Sequence, residues 1–280
     1  MIPAVMRFET VAAVLSAALL AGCAGMTGGG GGEAIDRAIA GVHRSEANRA
    51  RDVHRHPRET LLFFGLTPDM TVVEIWPGAG WYTEILAPAL RERGRYYAAH
   101  FHVDDNSPRY MGPSRQNFGK LLSGRPDLYD KVTVTAFHAP TRLVAAPAGT
   151  ADLVLTFRNV HNWTAAKTDE AMFRAFFAAL KPGGVLGVVE HRAQPGTPPG
   201  EQIKTGYMSE AYVAGLAEKA GFRLSARSEI NANPRDNRDH PRGVWTLPPT
   251  FRLGEQGRAK YAAIGESDRM TLKFEKPKVP

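Results

Sequence analysis

The densest cluster of polar side chains in the sequence lies at residues 158–163, directly after an apolar run that ends at Phe157. An imidazole titrates near neutral pH, so His161 could take a proton from an oxygen or nitrogen of a bound molecule, or it could simply hydrogen-bond a loop. Asn159 and Asn162 are candidate polar anchors for the same molecule. Trp163 could be a flat surface for a ring, although a place in the core is favoured.

A second group of chemically capable side chains, Glu190 and His191, ends a later apolar run. Two histidines and a carboxylate could ligate a metal ion, but the sequence lacks the tight ligand spacing of zinc motifs. The sequence therefore favours His161 and His191 as a pair that performs acid/base chemistry or orients an acceptor. It predicts no metal site.

Residues 72–81 have the pattern of a strand, a tight turn and the start of a helix. The strand contains Glu74, the turn contains Gly78 and Gly80, and an amphipathic helix follows. Glycines let the backbone approach a ligand, and the first turn of a helix offers unpaired N–H groups. The same turn also occurs where a helix only packs tightly on a strand, so the pattern marks a candidate ligand loop and no more.

Strand and helix patterns alternate from residue 71 onward. Such alternation predicts an α/β fold, a parallel sheet with helices on both faces, in which ligands bind outside the carboxyl ends of the strands. The predicted strands are 71–76, 96–103, 132–137, 152–157, 185–191, 222–230 and 243–247. The predicted helices between them are 82–93, 113–122, 168–180 and 209–220.

Two further helices, over residues 34–50 and 57–64, are predicted to form an N-terminal helical cap. Between and around them lies a basic patch that consists of Arg49, Arg51, His54, Arg55, His56 and Arg58. We expect this patch to be a solvated helix face rather than a site for an acidic ligand.

Three motifs resemble those of class I S-adenosylmethionine-dependent methyltransferases, and in particular a bacterial branch known only as predicted methyltransferases, whose members often carry signal sequences. Residues 74–80 (EIWPGAG) resemble the first motif of the family, residues 152–155 (DLVL) its fourth strand, and residues 180–186 (LKPGGVL) the junction before its fifth strand. Together the motifs span about residues 71–247. The resemblance implies a Rossmann-like, seven-stranded sheet in the order 3-2-1-4-5-7-6, with an antiparallel seventh strand.

The same resemblance implies S-adenosylmethionine as the cofactor. It places the backbone at Gly78 and Gly80 against the methionine part, with Glu74 at the amino group. The other residues that it places at the cofactor are Trp76, at the first glycine position of the motif; Trp81 and Tyr82, at the start of the helix; His100, where the second strand usually ends in an acidic residue that binds the ribose; and His138, where an acidic residue usually contacts the adenine amine.

The resemblance also implies that residues 158–163 face the methyl acceptor and that the fourth and fifth strands are neighbours. His161, Asn159 and His191 are then the candidate catalytic residues. The candidate substrate-binding residues are Asn162, Trp163, Tyr207 and Asn233, the last in a long polar loop that could close over the acceptor. The implied activity is methyl transfer to an unidentified small acceptor.

The N terminus resembles a bacterial lipoprotein signal. Arg7 precedes an apolar run, residues 11–20, that is too short to span a bilayer but suits a signal-peptide core. Residues 20–23 (LAGC) resemble the lipobox, which implies lipidation of Cys23; the alternative is a chance cysteine in a secretory signal that is cut elsewhere. By analogy with lipoprotein sorting, Ala24 implies the periplasmic side of the outer membrane.

These patterns divide the chain into five parts. They are a signal peptide at residues 1–23, a glycine-rich tether at 24–33, the helical cap at 34–68, a methyltransferase-like domain at 69–250 and a peripheral tail at 251–280. The expected partners are a small-molecule acceptor and a membrane, reached through the lipid anchor, with no obligatory protein partner.

The charge and the cysteine content of the chain argue against several kinds of function and site. The formal net charge is +7, but no basic stripe is interleaved with aromatic residues, so we expect a mildly basic surface and no nucleic-acid binding. The single cysteine of the chain excludes an intramolecular disulfide and a cysteine metal cluster.

Two alternatives stay open, because S-adenosylmethionine is made in the cytoplasm and the lipobox directs the chain away from it. One is a different enzyme on the same fold that uses the His161 and His191 rim, with or without a metal. The other is a non-catalytic lipoprotein that binds a nucleoside-like ligand.

Overall fold

The computed structural model describes Met1, residues 29–105 and residues 107–278. The signal peptide, the lipobox Cys23 and residues 24–28 of the predicted tether lie outside the described residues. Across the described part, no helix combines the length and the apolar character that crossing a membrane requires.

Seven strands form one mixed sheet. They are β1 (Thr71–Ile75), β2 (Arg95–His100), β3 (Val132–Ala136), β4 (Ala151–Phe157), β5 (Leu180–His191), β6 (Arg223–Ser228) and β7 (Arg269–Glu275). Their order is β3-β2-β1-β4-β5-β7-β6, which confirms the order that the sequence motifs implied. β7 runs antiparallel to β5 and β6, and the other neighbouring strands are parallel.

The seventh strand does not lie where the sequence pattern placed it. Residues 243–247 were predicted as that strand, but Gly243–Thr246 forms a 3-10 turn. β7 comes from residues 251–280, which were predicted to be a peripheral tail. Its side chains at Met270, Leu272 and Phe274 are buried between helices and sheet. The tail is therefore part of the sheet, and the predicted domain boundary at residue 250 is wrong.

Helices cover both faces of this sheet. They are α1 (Gly29–Ala40), α2 (Glu46–Arg49), α3 (Asp52–Arg55), α4 (Pro57–Phe64), α5 (Thr83–Leu90), α6 (Met111–Gly124), α7 (Pro126–Tyr129), α8 (Val160–Ala165), α9 (Asp169–Ala179), α10 (Pro199–Thr205), α11 (Glu210–Lys219) and α12 (Arg258–Ile264).

Among the described residues, two large apolar clusters form most of the core, one on each face of the sheet. Neighbouring residues of a strand point to opposite faces, so Val72 joins one cluster and Val73 the other. Ile85 of α5 packs in the first cluster, whereas Phe173 and Phe176 of α9 pack in the second. This arrangement leaves the carboxyl ends of β1, β4 and β5 free to carry a site.

The N-terminal cap differs from its prediction at both ends. α1 begins at Gly29, inside the predicted tether, because Ile35 and Ala38 are buried against α4 and α5 and this packing outweighs the poor helix propensity of glycine. The single helix predicted over residues 34–50 ends at Ala40. After a turn, Ser45 caps α2, its side chain accepting a hydrogen bond from the backbone of Asn48 at 3.2 Å.

Candidate active site

The loop after β1 contains two glycines with different roles. Both have a positive φ, 63° at Gly78 and 97° at Gly80. A Cβ added at Gly80 would come within 2.3 Å of Leu121, so this glycine lets α6 pack against the loop. A Cβ added at Gly78 would meet only Ser114 Oγ, at 3.8 Å. Gly78 is therefore the glycine that leaves room for a ligand.

A cleft of about 270 Å³ lies above this loop, between the ends of β1 and β4 and the segment that carries α2 and α3. We call it the loop cleft. It is lined by six of the predicted site residues, Glu74, Trp76, Gly78, Trp81, Tyr82 and Asn159, and also by Arg51, Arg55 and Arg158.

Glu74 presents one carboxylate oxygen to the loop cleft. The side chain is 3% exposed, and its Oε2 accepts hydrogen bonds from the hydroxyls of Tyr96 and Thr83. Oε1 makes no hydrogen bond with any described residue. Burial raises the pKa of Glu74 to about 7, although the hydrogen bonds from Tyr96 and Thr83 oppose that shift. This carboxylate is therefore available for a cationic group of a ligand.

Trp81 and Tyr82 form one wall of the loop cleft and are fixed by the helical cap. Trp81 Nε1 donates to the backbone oxygen of Asn48 at 3.0 Å, and the guanidinium of Arg55 lies 4.6 Å from the centre of its ring. Tyr82 stacks on Phe157 at the end of β4. The cap thus contributes directly to the site.

A second cavity of about 260 Å³ adjoins the first and shares Arg51, Arg55 and Arg158 with it. We call it the histidine pocket. Its remaining wall comes from the carboxyl ends of β4 and β5 and from the chain on either side of α12: His161, His191, Val244, Trp245, Pro248, Pro249, Thr250, Glu266, Ser267 and Arg269.

His161 and Glu190 form a hydrogen-bonded pair at the base of the histidine pocket. Nδ1 of His161 lies 3.1 Å from Oε1 of Glu190, and because a carboxylate oxygen can only accept, Nδ1 donates; in the neutral imidazole Nε2 then keeps its lone pair. The carboxylate is fully buried and also accepts from the backbone N–H groups of Val160 and His191. The arrangement suits a general base that takes a proton at Nε2.

His191 lies beside this pair, as predicted for the rim, but it makes different contacts. Its ring centre is 5.3 Å from that of His161, and its Nδ1 lies 2.5 Å from the hydroxyl of Ser267. Burial, reinforced by the neighbouring His161 and arginines, lowers the pKa of His191 well below its ordinary value. A neutral His191 can orient a bound molecule without adding charge.

Ligand atoms of His161, Glu190 and His191 lie within 4.8 Å of one another, which is close enough for a cation to bridge them. Both oxygens of Glu190 are already engaged by N–H donors. The hydrogen bonding therefore favours a base and its orienting carboxylate over a set of metal ligands.

Asn159 also has a structural role. Its amide nitrogen donates to the backbone oxygen of Ile75 at 3.0 Å and to Thr156 Oγ1 at 3.2 Å. These bonds tie the end of β4 to the end of β1. Asn159 lines the loop cleft and not the histidine pocket, so it lies on the predicted cofactor side of the site.

The two histidines predicted at the cofactor, His100 and His138, lie outside the set that lines the loop cleft. His100 is fully buried, and its Nε2 donates to the backbone oxygen of Gly78 at 2.9 Å, so it holds the loop in place. Burial lowers its pKa to about 4. His138 stacks on the ring of Trp76, with the ring centres 5.7 Å apart.

Trp76 stands at the first glycine position of the motif and adopts a positive φ of 51°. Its Nε1 donates to the backbone oxygen of Phe137 at 2.8 Å, and its ring also makes edge contacts with Phe101 and Trp163. The ring thus fills space beyond β2 and β3 while it still lines the loop cleft.

The predicted substrate-binding residues line neither cavity. Trp163 is buried in the core, and Asn162 is half-buried at the start of α8. Tyr207 is buried and donates to Asp236 at 2.8 Å. Asn233 donates to the backbone oxygens of Ile264 and Glu266, which pins its loop to the chain before β7.

The site residues that the sequence analysis missed are mainly arginines. The patch predicted to be a solvated helix face contains Arg55, which is only 3% exposed, and Arg51, which lines both cavities. Arg269 and the carboxylate of Glu266 come from the predicted tail. The density of arginine in the basic patch was the available signal, and its buried partner could not be identified from sequence.

Glu266 is the carboxylate that pairs with these arginines. It accepts from Nε of Arg51 at 2.6 Å and from Nε of Arg55 at 3.1 Å, and it also pairs with Arg269. Burial alone would raise the pKa of Glu266, but the attraction of Arg269, Arg55, Arg51 and Arg158 lowers it well below the ordinary value.

Comparison with solved structures identifies the fold. A methyltransferase from Aquifex aeolicus, described as S-adenosylmethionine-dependent, aligns over 81% of this chain and 93% of its own, with a TM-score of 0.54 and 18% identity. A putative sarcosine dimethylglycine methyltransferase from Galdieria sulphuraria aligns over 83% and 89%, with a TM-score of 0.53 and 13% identity. The [4+2]-cyclase SpnF aligns over 84% of both chains, with a TM-score of 0.53 and 14% identity.

No protein-family model matches the sequence, and neither does any curated protein. At identities this low, the structural likeness speaks for the fold alone, and the cyclase shows that the fold carries more than one chemistry. The strand order, the loop after β1 and these alignments agree: the chain has the fold of class I S-adenosylmethionine-dependent methyltransferases.

Proposed function

We propose that the protein is an S-adenosylmethionine-dependent methyltransferase that transfers a methyl group to an oxygen or nitrogen of a small acceptor. The observation that carries this proposal is the pair of cavities that meet at Arg158. One contains a free carboxylate oxygen of Glu74 beside Gly78, and the other contains Nε2 of His161 backed by Glu190. The first suits a cofactor with a cationic amino group, and the second suits an acceptor that must lose a proton.

The loop cleft fits the methionine part of S-adenosylmethionine. Oε1 of Glu74 would accept from the amino group, and the open side of Gly78 would admit the cofactor close to the backbone. Arg55 offers a charged donor for its carboxylate. The ring of Trp76, which lines the same cleft, offers an aromatic surface for the adenosine part.

When bound, S-adenosylmethionine supplies a methyl group whose bond to sulfur breaks, with the electron pair remaining on sulfur, as the acceptor atom bonds to the methyl carbon. The protein contributes mainly position, because in-line transfer needs the two reactants held close and aligned. His161 takes the proton of the acceptor at Nε2, Glu190 keeps the imidazole in the tautomer that can do so, and neutral His191 orients the acceptor.

Calorimetric titration of the full-length protein with S-adenosylmethionine and S-adenosylhomocysteine tests the cofactor assignment. We expect heat of binding and a rise in melting temperature with both compounds. If neither compound gives heat or thermal stabilisation at millimolar concentration, the proposal is overturned.

The second candidate function is an enzyme on the same fold that uses the His161 and His191 rim with a metal ion, which the 4.8 Å grouping of ligand atoms favours. Metal analysis of the purified protein distinguishes the two. One equivalent of a transition metal that is lost in the His161→Ala and His191→Ala variants would support the metal enzyme. Cofactor binding by metal-free protein supports the methyltransferase.

We further propose that Cys23 is lipidated and that the protein is held at the periplasmic side of the outer membrane. The support is the sequence alone: the apolar run at residues 11–20, the lipobox-like LAGC and Ala24 after it. Metabolic labelling with palmitate should mark the wild-type protein and not Cys23→Ser. Equal labelling of both, or recovery of the wild type in the cytoplasmic fraction, would contradict this assignment.

A further inference from the structure

We propose that the acceptor is a small hydroxylated carboxylic acid whose carboxylate binds Arg158 and Arg51 in the histidine pocket. This inference rests on the proposed methyl transfer and adds the chemical class of the acceptor. It follows from three independent properties of the pocket: its charge, its unused hydrogen-bond donors and its apolar wall.

The histidine pocket has a large excess of positive charge. Four guanidinium groups face it, those of Arg51, Arg55, Arg158 and Arg269. Among the residues that the structure describes, Glu266 is the one carboxylate of its lining, and Glu190 is buried behind His161. Both histidines of the lining lie among these cations, and His191 is kept neutral there. Since two carboxylates cannot balance four guanidinium groups, the pocket is suited to a molecule that brings negative charge of its own.

The bound cofactor would not remove this excess. Its amino group is matched by Glu74 in the loop cleft, and its carboxylate occupies one guanidinium at most. With Glu266 and Glu190 each matched to another, one cationic group remains without a counter-charge. An acceptor with a single carboxylate therefore still meets a positive site.

Arg158 is the guanidinium with the most hydrogen-bond donors available for an anion. Its guanidinium makes no hydrogen bond or ion pair with any residue that the structure describes, although it lines both cavities. Its backbone adopts a positive φ of 61°, and its N–H donates to the backbone oxygen of Val189 at 2.7 Å, which fixes the direction of the side chain. Burial and the repulsion of Arg269 lower its pKa to about 10. A planar guanidinium with all its donors unused matches a carboxylate in a bidentate way.

Arg51 is partly committed and partly free. Its Nε donates to Glu266, and its two terminal nitrogens make no hydrogen bond with described residues. Arg269 is less available, since one terminal nitrogen donates to Glu266 and the other to the backbone oxygen of His54. Arg158 and Arg51 are thus the pair best placed to hold a carboxylate.

The opposite wall of the pocket is apolar and positions the rest of the molecule. Trp245 presents its ring there, with its centre 5.9 Å from that of His161, and Val244, Pro248 and Pro249 continue the surface. A compact apolar or aromatic body fits against this wall within about 260 Å³. A hydroxyl on that body can then reach Nε2 of His161 while the carboxylate meets the arginines.

The first test compares two molecules of the same shape and needs no variant. The full-length protein is titrated by calorimetry with 4-hydroxybenzoate and with neutral 4-hydroxybenzyl alcohol. The buffer contains no phosphate and no carboxylate. Each titration is repeated with saturating S-adenosylhomocysteine. We expect the carboxylate to bind about ten- to a hundredfold more tightly than the alcohol, in line with the strength of hydrogen bonds to charged groups.

Substitutions of Arg158 and Arg51 test which side chains produce the preference for the carboxylate. Arg158→Gln should remove most of the preference for 4-hydroxybenzoate, Arg158→Lys should keep part of it, and Arg51→Gln should weaken it independently. Arg174→Gln is the matched control, because Arg174 lies on α9 with its side chain 63% exposed and should leave both affinities unchanged. If Arg158→Gln does not fold, Arg51→Gln and the comparison of the two ligands still test whether the pocket binds a carboxylate.

The outcomes separate the two proposals. Equal affinity for the acid and the alcohol overturns the acidic acceptor, even if S-adenosylhomocysteine binds and the methyltransferase proposal stands. Tight binding of phenyl phosphate with weak binding of 4-hydroxybenzoate also overturns it, in favour of a phosphorylated acceptor. Failure of S-adenosylhomocysteine to bind overturns the methyltransferase proposal, while the ligand preference in its absence still reports on the pocket.

Discussion

Nδ1 of His161 lies 3.1 Å from Oε1 of Glu190, and this contact joins α8, the helix that follows β4, to the end of β5. The carboxylate is held in turn by the backbone N–H groups of Val160 and His191, so it cannot turn away from the imidazole without losing two further hydrogen bonds. The pair therefore keeps Nε2 directed to the histidine pocket before any acceptor binds.

His161→Ala should lower kcat by about 10²–10⁴-fold, the usual contribution of a general base, and leave S-adenosylhomocysteine affinity unchanged. Glu190→Gln should also lower kcat, because an amide cannot accept all three hydrogen bonds that the carboxylate accepts. Steady-state kinetics and calorimetry on the same samples measure both effects, with Arg174→Gln as the control. Unchanged kcat in His161→Ala would remove the proposed base.

Glu74 should make stability and cofactor affinity depend on pH in opposite directions. Burial raises its pKa from 4.5 in the unfolded chain to about 7. As pH rises through that interval the unfolded chain releases the proton first, so the folded state loses stability, by roughly 3 kcal/mol above pH 7 at about 1.36 kcal/mol per pKa unit. Binding of the cofactor amino group should strengthen over the same interval, as the carboxylate forms.

Glu74→Gln separates these two effects. The amide oxygen can still accept from Tyr96 and Thr83, so the variant should be more stable than the wild type at pH 8 and equally stable below pH 4.5. Its affinity for S-adenosylmethionine should be at least about tenfold weaker and insensitive to pH, because the charged hydrogen bond is lost. Urea denaturation and calorimetry from about pH 4 to pH 8 measure both. A variant with wild-type affinity would show that Glu74 does not bind the cofactor.

The fold could be predicted from sequence where apolar periodicity is strong and local. Apolar periodicity predicted Pro57–Phe64 with its observed bounds, whereas the order of the sheet was implied by the resemblance of three motifs to a known family. β7 was missed because two of its buried residues are polar. Arg269 and Thr271 are each 1% exposed. Arg269 donates to the backbone oxygen of His54 and Thr271 accepts from Asn231, contacts between different segments that no periodicity encodes.

The same limit explains the missed arginines. Arg51 and Arg55 lie in a segment whose charge density is typical of a solvated surface, where arginine side chains are usually exposed. Their partner Glu266 is 215 and 211 residues away along the chain. Gly78 and His161, by contrast, follow strands directly, so the fold brings them to the edge of the sheet where ligands bind.

Glu266 should be essential for stability because it is the buried counter-charge of Arg51, Arg55 and Arg269. Glu266→Gln should lower the free energy of unfolding by about 3–5 kcal/mol, the usual result of leaving buried charges without their partner. The pKa of Glu266 is depressed, so its stabilising effect is present above the ordinary pKa and is lost only when the pH falls through the lowered value. The difference between variant and wild type should therefore persist through mildly acidic pH.

Added phosphate should restore part of the stability of Glu266→Gln by binding the exposed excess of arginine charge. Glu229→Gln is the matched control: Glu229 also pairs with an arginine, Arg192, but its side chain is 69% exposed, and the loss should be no more than about 1 kcal/mol. Denaturation with and without phosphate measures all four cases. Equal losses in the two variants would show that the arginine cluster carries no unusual strain.

Gly78 and Gly80 should respond differently to the same small change. Gly80→Ala places a Cβ within 2.3 Å of Leu121 and forces alanine to a φ of 97°, so we expect a loss of about 2 kcal/mol or more in the free energy of unfolding. Gly78→Ala meets nothing closer than 3.8 Å and adopts a milder φ of 63°, so its loss should be nearer 1 kcal/mol. Its methyl group faces the loop cleft, however, and should weaken S-adenosylhomocysteine binding, whereas folded Gly80→Ala should bind normally. If Gly80→Ala lost affinity and Gly78→Ala did not, the roles assigned to the two glycines would be reversed, and the side of the loop that receives the cofactor would have to be reassigned.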